Sequence, residues 1–265
     1  MLSEQEIRAL SGGTGNTFLF DLSVISSDQY ESLFRTLEHF AKKKIATIGF
    51  SCDELFRAEQ KALGGRPIPL QILNSIAKTR SNYTRNIVEL LSFVLPRSTR
   101  LLEVRLSYLS IRKEHLIRLI NAFGQSTTLE NISFSKVLLG DALLDFLLQT
   151  LDPNQIKSIT IQYCGITRKS VPKIIDFIQR KDPKLSTNGG LVNFTISQTE
   201  ITAEDQRTIN EAIKNSSENN ESIIQNNSSL FNMVRKDGKL VRNENDNIDV
   251  VIQVKNNDGI QQNYQ

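Results

Sequence analysis

Side chains able to do acid–base, nucleophilic or metal chemistry are few and scattered in these 265 residues. There are two histidines and two cysteines. His39 falls beside the apolar face of one expected helix and His115 in the first turn of another. Neither has a Cys, Asp or Glu at metal-ligand spacing. Cys52 and Cys164 form neither a CxxC pair nor a disulfide framework, which fits a reducing compartment. Gly12-Gly13-Thr14-Gly15 lacks the GxxxxGK[ST] order of a phosphate loop. The paired acids Asp53-Glu54 and Glu204-Asp205 read as helix starts, where the helix dipole favours negative charge. The expectation is a non-enzyme with no cofactor and no metal.

The patterning that would position any site is far more regular. From Leu101 to Ile201 one spacing recurs four times: an apolar residue, then others three, five, eight and ten positions on. The copies are Leu101, Val104, Leu106, Leu109, Ile111; Leu129, Ile132, Phe134, Val137, Leu139; Ile156, Ile159, Ile161, Cys164, Ile166; and Leu191, Phe194, Ile196, Thr199, Ile201. They start 28, 27 and 35 residues apart. This resembles the leucine-rich-repeat template LxxLxLxxN/CxL, with Cys164 in the asparagine/cysteine slot, at the roughly 28-residue period of the ribonuclease-inhibitor-like type. The implied fold class is α/β: a leucine-rich-repeat solenoid, or horseshoe, with parallel strands on the concave face and helices on the convex face.

Alternation within a strand sends positions 4 and 6 into the core and positions 3, 5 and 7 to the other side. Helical spacing follows each copy. Asp141 is expected to cap a helix through Leu143, Leu144, Phe146, Leu147 and Leu148. Thr167 precedes Val171, Ile174, Ile175 and Ile178, and Thr202 precedes a helix over 203–214. A fainter copy is read from Thr17, with Phe20, Leu22 and Ile25 at positions 4, 6 and 9. Another starts at Ile45. The gap of 56 residues from Ile45 to Leu101 predicts one further repeat between 70 and 100, with Gly64-Gly65-Arg66-Pro67-Ile68-Pro69 as punctuation and a helix from Thr84 to Leu95.

The expected organisation is a leader at 1–16, a solenoid of about six repeats at 17–214, and an Asn-rich tail at 215–265. The solenoid is irregular at 56–100 and carries a polar insert at 181–190. The tail holds twelve Asn and two Leu, a composition of largely disordered chain. Lys236-Asp237-Gly238-Lys239 is a hairpin signal within it, and Ile248 to Val254 is a β-prone run. Apolar residues are 39% of the chain with 13 glycines besides, a little under the roughly 45–50% of globular proteins. The N-terminus lacks a basic segment followed by an apolar run, so no signal peptide is expected. No run approaches the roughly 18 apolar residues of a membrane helix. A cytoplasmic location follows as the expectation.

The outward strand positions are therefore the candidate surface: Arg105, Ser133, Ser135, Thr160, Gln162 and Thr195, edged by Tyr108 and Tyr163 at position 8. Tyr and Arg are frequent interface anchors. From Arg66 to Lys113 there are nine basic and two acidic residues. That stripe includes Arg97 and Arg100 and would attract an acidic partner. Nucleic acid is not expected, because no aromatic interleaving or known module accompanies the charge.

Residues 109–141, LSIRKEHLIRLINAFGQSTTLENISFSKVLLGD, resemble the repeats of the seventy-eight-kilodalton centrosomal protein family. Gln125 to Leu129 and Gly140-Asp141 carry the match, and residues 18–50 are similar to that family's atypical first repeat. The resemblance implies a centriole or basal-body component acting in cilium formation or centrosome regulation through protein partners, a ubiquitin-ligase component among them. The family's C-terminal coiled coil has no counterpart here. Two alternatives share the repeat fold: a GTPase-activating regulator and a secreted effector. The activators carry asparagine at position 9, where this chain has Leu109, Val137, Cys164 and Thr199.

Overall fold

Six five-residue strands form one open, all-parallel sheet whose spatial order is the chain order. They are β1 (Thr17–Asp21), β2 (Thr47–Ser51), β3 (Glu103–Ser107), β4 (Asn131–Ser135), β5 (Ser158–Gln162) and β6 (Asn193–Ser197). In this computed structural model the described residues are 2–52, 83–181, 191–197 and 200–216, together with strand residues 233–236, 239–242, 254–255 and 261–262. Helices alternate with the strands: α1 (Glu4–Ala9), α2 (Ser27–Phe40), α3 (83–94), α4 (Lys113–Gly124), α5 (Gly140–Thr150), α6 (Val171–Gln179) and α7 (203–216). The chain divides into a unit at Met1–Glu218 and a second at Asn219–Gln265.

The core is the strand–helix interface. Val104, Leu106, Ile132, Phe134, Ile159, Ile161 and Phe194 are buried at strand positions 4 and 6. The helices answer with Leu33 and Leu37, Ile87, Leu90, Leu91 and Val94, Leu116, Leu119 and Ile120, Leu144 and Leu147, and Ile174 and Phe177. These fall at i, i+3, i+4 and i+7 spacing, the stripe a helix needs to lie against a sheet. Packing is close where α4 meets α5. A Cβ on Gly124 would stand 2.5 Å from Thr150 Cγ2 and 2.8 Å from its carbonyl oxygen.

Two sequence readings need correction. Thr17 pairs with Thr47, which pairs with Glu103. Thr17 therefore occupies position 3, not position 1, and the first repeat is shifted by two residues. A two-residue shift keeps every side chain on its face, so Phe20 and Leu22 are still buried. Phe18 and Phe20 are now the core pair. Second, β2 is hydrogen-bonded directly to β3. The 56-residue step thus places no further strand between them. Residues 53–82, where Leu70 and Ile72 fall, lie outside the described residues. The helix expected from Thr84 is present as α3, closed by a 3-10 turn at Leu95–Arg97 that contains Pro96.

The N-terminal stretch is ordered around the first strand. Ser3 and Glu6 form a reciprocal capping box on α1, and Ile7 is fully buried. The outward edge of β1 is occupied by local bonds: Leu19 N–H donates to Ser11 Oγ at 2.9 Å and Gly12 N–H donates to Leu19 O at 2.8 Å. The far edge of the sheet is closed differently. Gln206 in α7 accepts from Ile196 N–H at 3.0 Å and donates Nε2–H to Phe194 O at 2.8 Å. A parallel neighbour opposite Thr195 would make the same two bonds.

In the second unit β7 (Met233–Lys236) and β8 (Lys239–Arg242) pair antiparallel. β9 (Val254–Lys255) and β10 (Gln261–Gln262) form a second short pair. Among the described residues no helix is long and apolar enough to cross a membrane.

Burial at Ile132 (2% exposed) and half-exposure at Ser133 give a sharp contrast. Ile132→Asp is expected to cost about 3–5 kcal/mol, the scale of an unpaired buried charge. Ser133→Asp is expected to stay within about 0.5 kcal/mol. Urea melts of both variants check this, and equal midpoints would refute the register. Gln206→Leu is expected to cost about 1–2 kcal/mol by orphaning Phe194 O and Ile196 N–H, and to raise self-association through the exposed edge. Sedimentation velocity reads the second effect.

Candidate functional site

The parallel register turns the outward strand positions into rows. Leu19, Gly49, Arg105, Ser133, Thr160 and Thr195 stand side by side, one from each strand. The next row is Asp21, Ser51, Ser107, Ser135, Gln162 and Ser197. So the structure brings Arg105, Ser133, Thr160 and Thr195 into one line, with Ser135 and Gln162 directly beside it. At about 4.8 Å between strands, four neighbours span roughly 14 Å of small hydroxyl side chains and one arginine.

Arg105 is not a free charge. Its Nε lies 2.6 Å from Glu103 Oε1 and its terminal nitrogen 3.0 Å from Oε2, while Thr47 Oγ1 donates to the same carboxylate. That bond to Glu103 raises the Arg105 pKa further. The pair is half-exposed and contributes neutrality rather than a basic face. Gly49 beside it leaves a notch lined by Leu19, Phe50, Ser51, Arg105 and Tyr108.

After each regular strand the chain must turn so that position 9 points back inward. It does so through a left-handed residue at position 8: Tyr108 (φ 56°), Lys136 (φ 53°) and Tyr163 (φ 54°). None is glycine, and each pays about 1 kcal/mol of steric strain. Position 9 is then buried in all three: Leu109, Val137 and Cys164. The N–H of each position-8 residue donates to the next strand's carbonyl at 2.8 Å, on Ser135, Gln162 and Ser197. The side chains meet at this rim. Lys136 Nζ sits 5.2 Å from the Tyr108 ring centroid. Tyr163 (59% exposed) and Leu138 (76%) complete a depression with Ser135 and Gln162.

Arg97 and Arg100 lie elsewhere. They precede β3 at the N-terminal ends of the strands, whereas Tyr108 and Tyr163 follow the C-terminal ends. Of the expected stripe, Arg66, Lys78 and Arg80 fall outside the described residues. Thr199 does too. Lys136, Leu138 and Gly49 are the site residues that sequence reasoning passed over. Lys136 holds the same repeat position as the two tyrosines, so the template alone could have found it.

The thiol and the imidazole expected from the sequence are placed apart. Cys164 is buried, its thiol donates toward Gln162 O at 3.2 Å, and burial pushes its pKa up. His39 is exposed with Nδ1 3.3 Å from Arg35 O. Among the described residues no three His, Cys, Asp or Glu side chains gather as a metal site.

Asp141 does not cap its own helix; Leu139 is the N-cap of α5, with no side-chain bond. Its carboxylate instead accepts from Thr167 N–H (2.8 Å), Thr167 Oγ1 (2.7 Å) and Ser170 Oγ (2.5 Å) in the next repeat. Burial alone would raise its pKa. The bonds from Ser170 and Thr167 outweigh that and hold it below the ordinary aspartate value. At the next helix the bonds are local: Asp205 accepts from Thr202 N–H and Oγ1 three residues back, and Arg168 reaches it from the preceding strand–helix unit at 2.9 Å. No family model and no curated protein matches the chain.

A depressed Asp141 pKa adds stability that is present above the unfolded value, near pH 4, and is lost as pH falls through the folded value. Asp141→Asn is expected to flatten this part of the stability–pH profile, measured by urea melts from pH 3 to pH 7. Lys136→Asn should relieve left-handed strain and stabilise the chain by a few tenths to about 1 kcal/mol. A loss of stability in chemical denaturation would show that Lys136 contributes more by contact than its backbone costs.

Proposed function

We propose that this chain is a leucine-rich-repeat solenoid of the ribonuclease-inhibitor-like type that works as a non-catalytic protein-binding scaffold. Its partner is an extended protein segment lying along the rim at Tyr108, Lys136, Leu138 and Tyr163 and reaching onto the Ser133–Thr160–Thr195 row. The observation that carries this reading is the repeated left-handed turn. Three non-glycine residues hold a costly backbone at one repeat position, and their side chains line one exposed edge together. Strain kept at equivalent positions points to a surface that is used. Aromatic rings with a lysine and an exposed leucine suit an interface anchor, and the small hydroxyls beside them suit adaptable hydrogen bonding.

The repeat reading is supported by the direct correspondence of positions 3 to 7 from one strand to the next. The likeness of residues 109–141 to the seventy-eight-kilodalton centrosomal protein family supports the more specific proposal of a partner at the centriole or basal body.

The test places a photo-crosslinking phenylalanine analogue at Tyr163 and, in a second protein, at Arg118 on α4. Adducts formed in native cells at position 163 and not at 118, and lost in Lys136→Glu, are the expected outcome. Equal adducts at both positions would overturn the rim. Imaging of the tagged chain tests the location separately: enrichment at microtubule-organising centres is expected, and diffuse signal would remove the centriolar part alone.

A further inference from the structure

A second surface lies at the other ends of the strands. Here the loop after α2 and the turn after α3 run side by side. Ser98 Oγ donates toward Ala41 O and Lys42 O at 3.5 and 3.4 Å, and Leu102 N–H donates to Ala46 O at 2.8 Å. The two segments bring their cations together. Lys42 Nζ sits 4.1 Å and Arg97 Cζ 4.6 Å from the centroid of the Phe93 ring. Arg97 is steadied further by donating to Phe93 O at 2.9 Å. Lys43 and Arg100 are exposed beside them. Lys44, next in sequence, is neutralised by Glu4 at 2.7 Å. Among the described residues no carboxylate pairs with Lys42, Lys43, Arg97 or Arg100.

Two like charges held against one ring repel each other, and an anion between them would relieve that repulsion. The surroundings say what kind of anion. Phe93, 37% exposed, offers apolar surface at the charges themselves.

We propose that Lys42, Lys43, Phe93, Arg97 and Arg100 form a docking site for an acidic protein segment that carries an apolar residue among its carboxylates. This site is separate from the rim at Tyr108 and Tyr163, and the two stand or fall independently. Carboxylates would bridge Lys42 and Arg97 by charge-assisted bonds, bidentate at the guanidinium, while the apolar residue covers the exposed part of Phe93. A charged site of this kind would speed encounter in a salt-dependent way.

The test uses the full chain and a fluorescein-labelled heptapeptide of six glutamates with a central leucine, read by anisotropy. Binding is expected to weaken at least tenfold in Lys42→Glu and in Arg97→Glu, and to weaken steeply between 50 and 300 mM salt. Replacing the leucine by glycine in the peptide should weaken it several-fold. Tyr163→Ala should leave it unchanged, which keeps this site distinguishable from the rim. Thermal melts confirm that each variant folds. Three results would overturn the proposal. The first is equal peptide binding by wild type and Arg97→Glu. The second is tighter binding of an oligothymidine of matched charge. The third is a loss of stability in Lys42→Glu with no peptide bound by wild type, which would make these cations mere partners of the helix C-terminal carbonyls.

Discussion

The in-register parallel ladder running from Thr17 to Asn193 is the constraint on which the other features hang. Because each strand pairs with the next at the same five positions, every outward residue of β2 to β5 has a fixed neighbour on either side. A row of hydroxyls exists only because Ser133, Thr160 and Thr195 share one register. The rim exists for the same reason: Tyr108, Lys136 and Tyr163 end equivalent strands, and each N–H is claimed by the adjacent strand. Slipping one strand by a residue would bury its polar face and expose its core face. The buried phenylalanines and isoleucines therefore define the surface as firmly as they define the interior.

The loops are tied by side chains that reach one repeat forward or back. Ser98 and Ser126 are buried and accept from the backbone N–H groups leading into β3 and β4. Thr128 Oγ1 then donates to Leu101 O, and Gln155 Nε2 donates to Ser126 O and Leu129 O. On the opposite side Asp141 grips Thr167 and Ser170, and Arg168 grips Asp205. A buried loop carbonyl must find a donor, and here the donor comes from the adjoining repeat. Neighbour-only contacts of this kind make stability a sum over adjacent units.

Much of this was legible in the residues. Alternation at Val104–Leu106 and Ile132–Phe134 fixes which face is buried, and the roughly 28-residue step fixes which residues become neighbours. Position 8 was legible as a rim for the tyrosines. What could not be read has physical causes. The first repeat is misplaced by two residues because Phe18, Phe20 and Leu22 are all apolar, and a period of two cannot tell adjacent same-face sites apart. The left-handed backbone at Lys136 leaves no trace in residue type, since lysine is not selected for it. Asp141 reads as a cap for its own helix because capping rules are local, while its partners lie 26 and 29 residues on. The Lys42–Phe93–Arg97 cluster joins segments brought together only by folding.

The two sheet edges are closed in different ways, and among the described residues neither uses another strand. Ser11 and Gly12 occupy one, and the carboxamide of Gln206 occupies the other. Both seals belong to the end pieces and touch no interior repeat. The length of the array is therefore a free variable. A unit such as 129–155 could be duplicated or lost, and the same two ends would still close the sheet. The outward face would lengthen or shorten by one strand spacing at each such event.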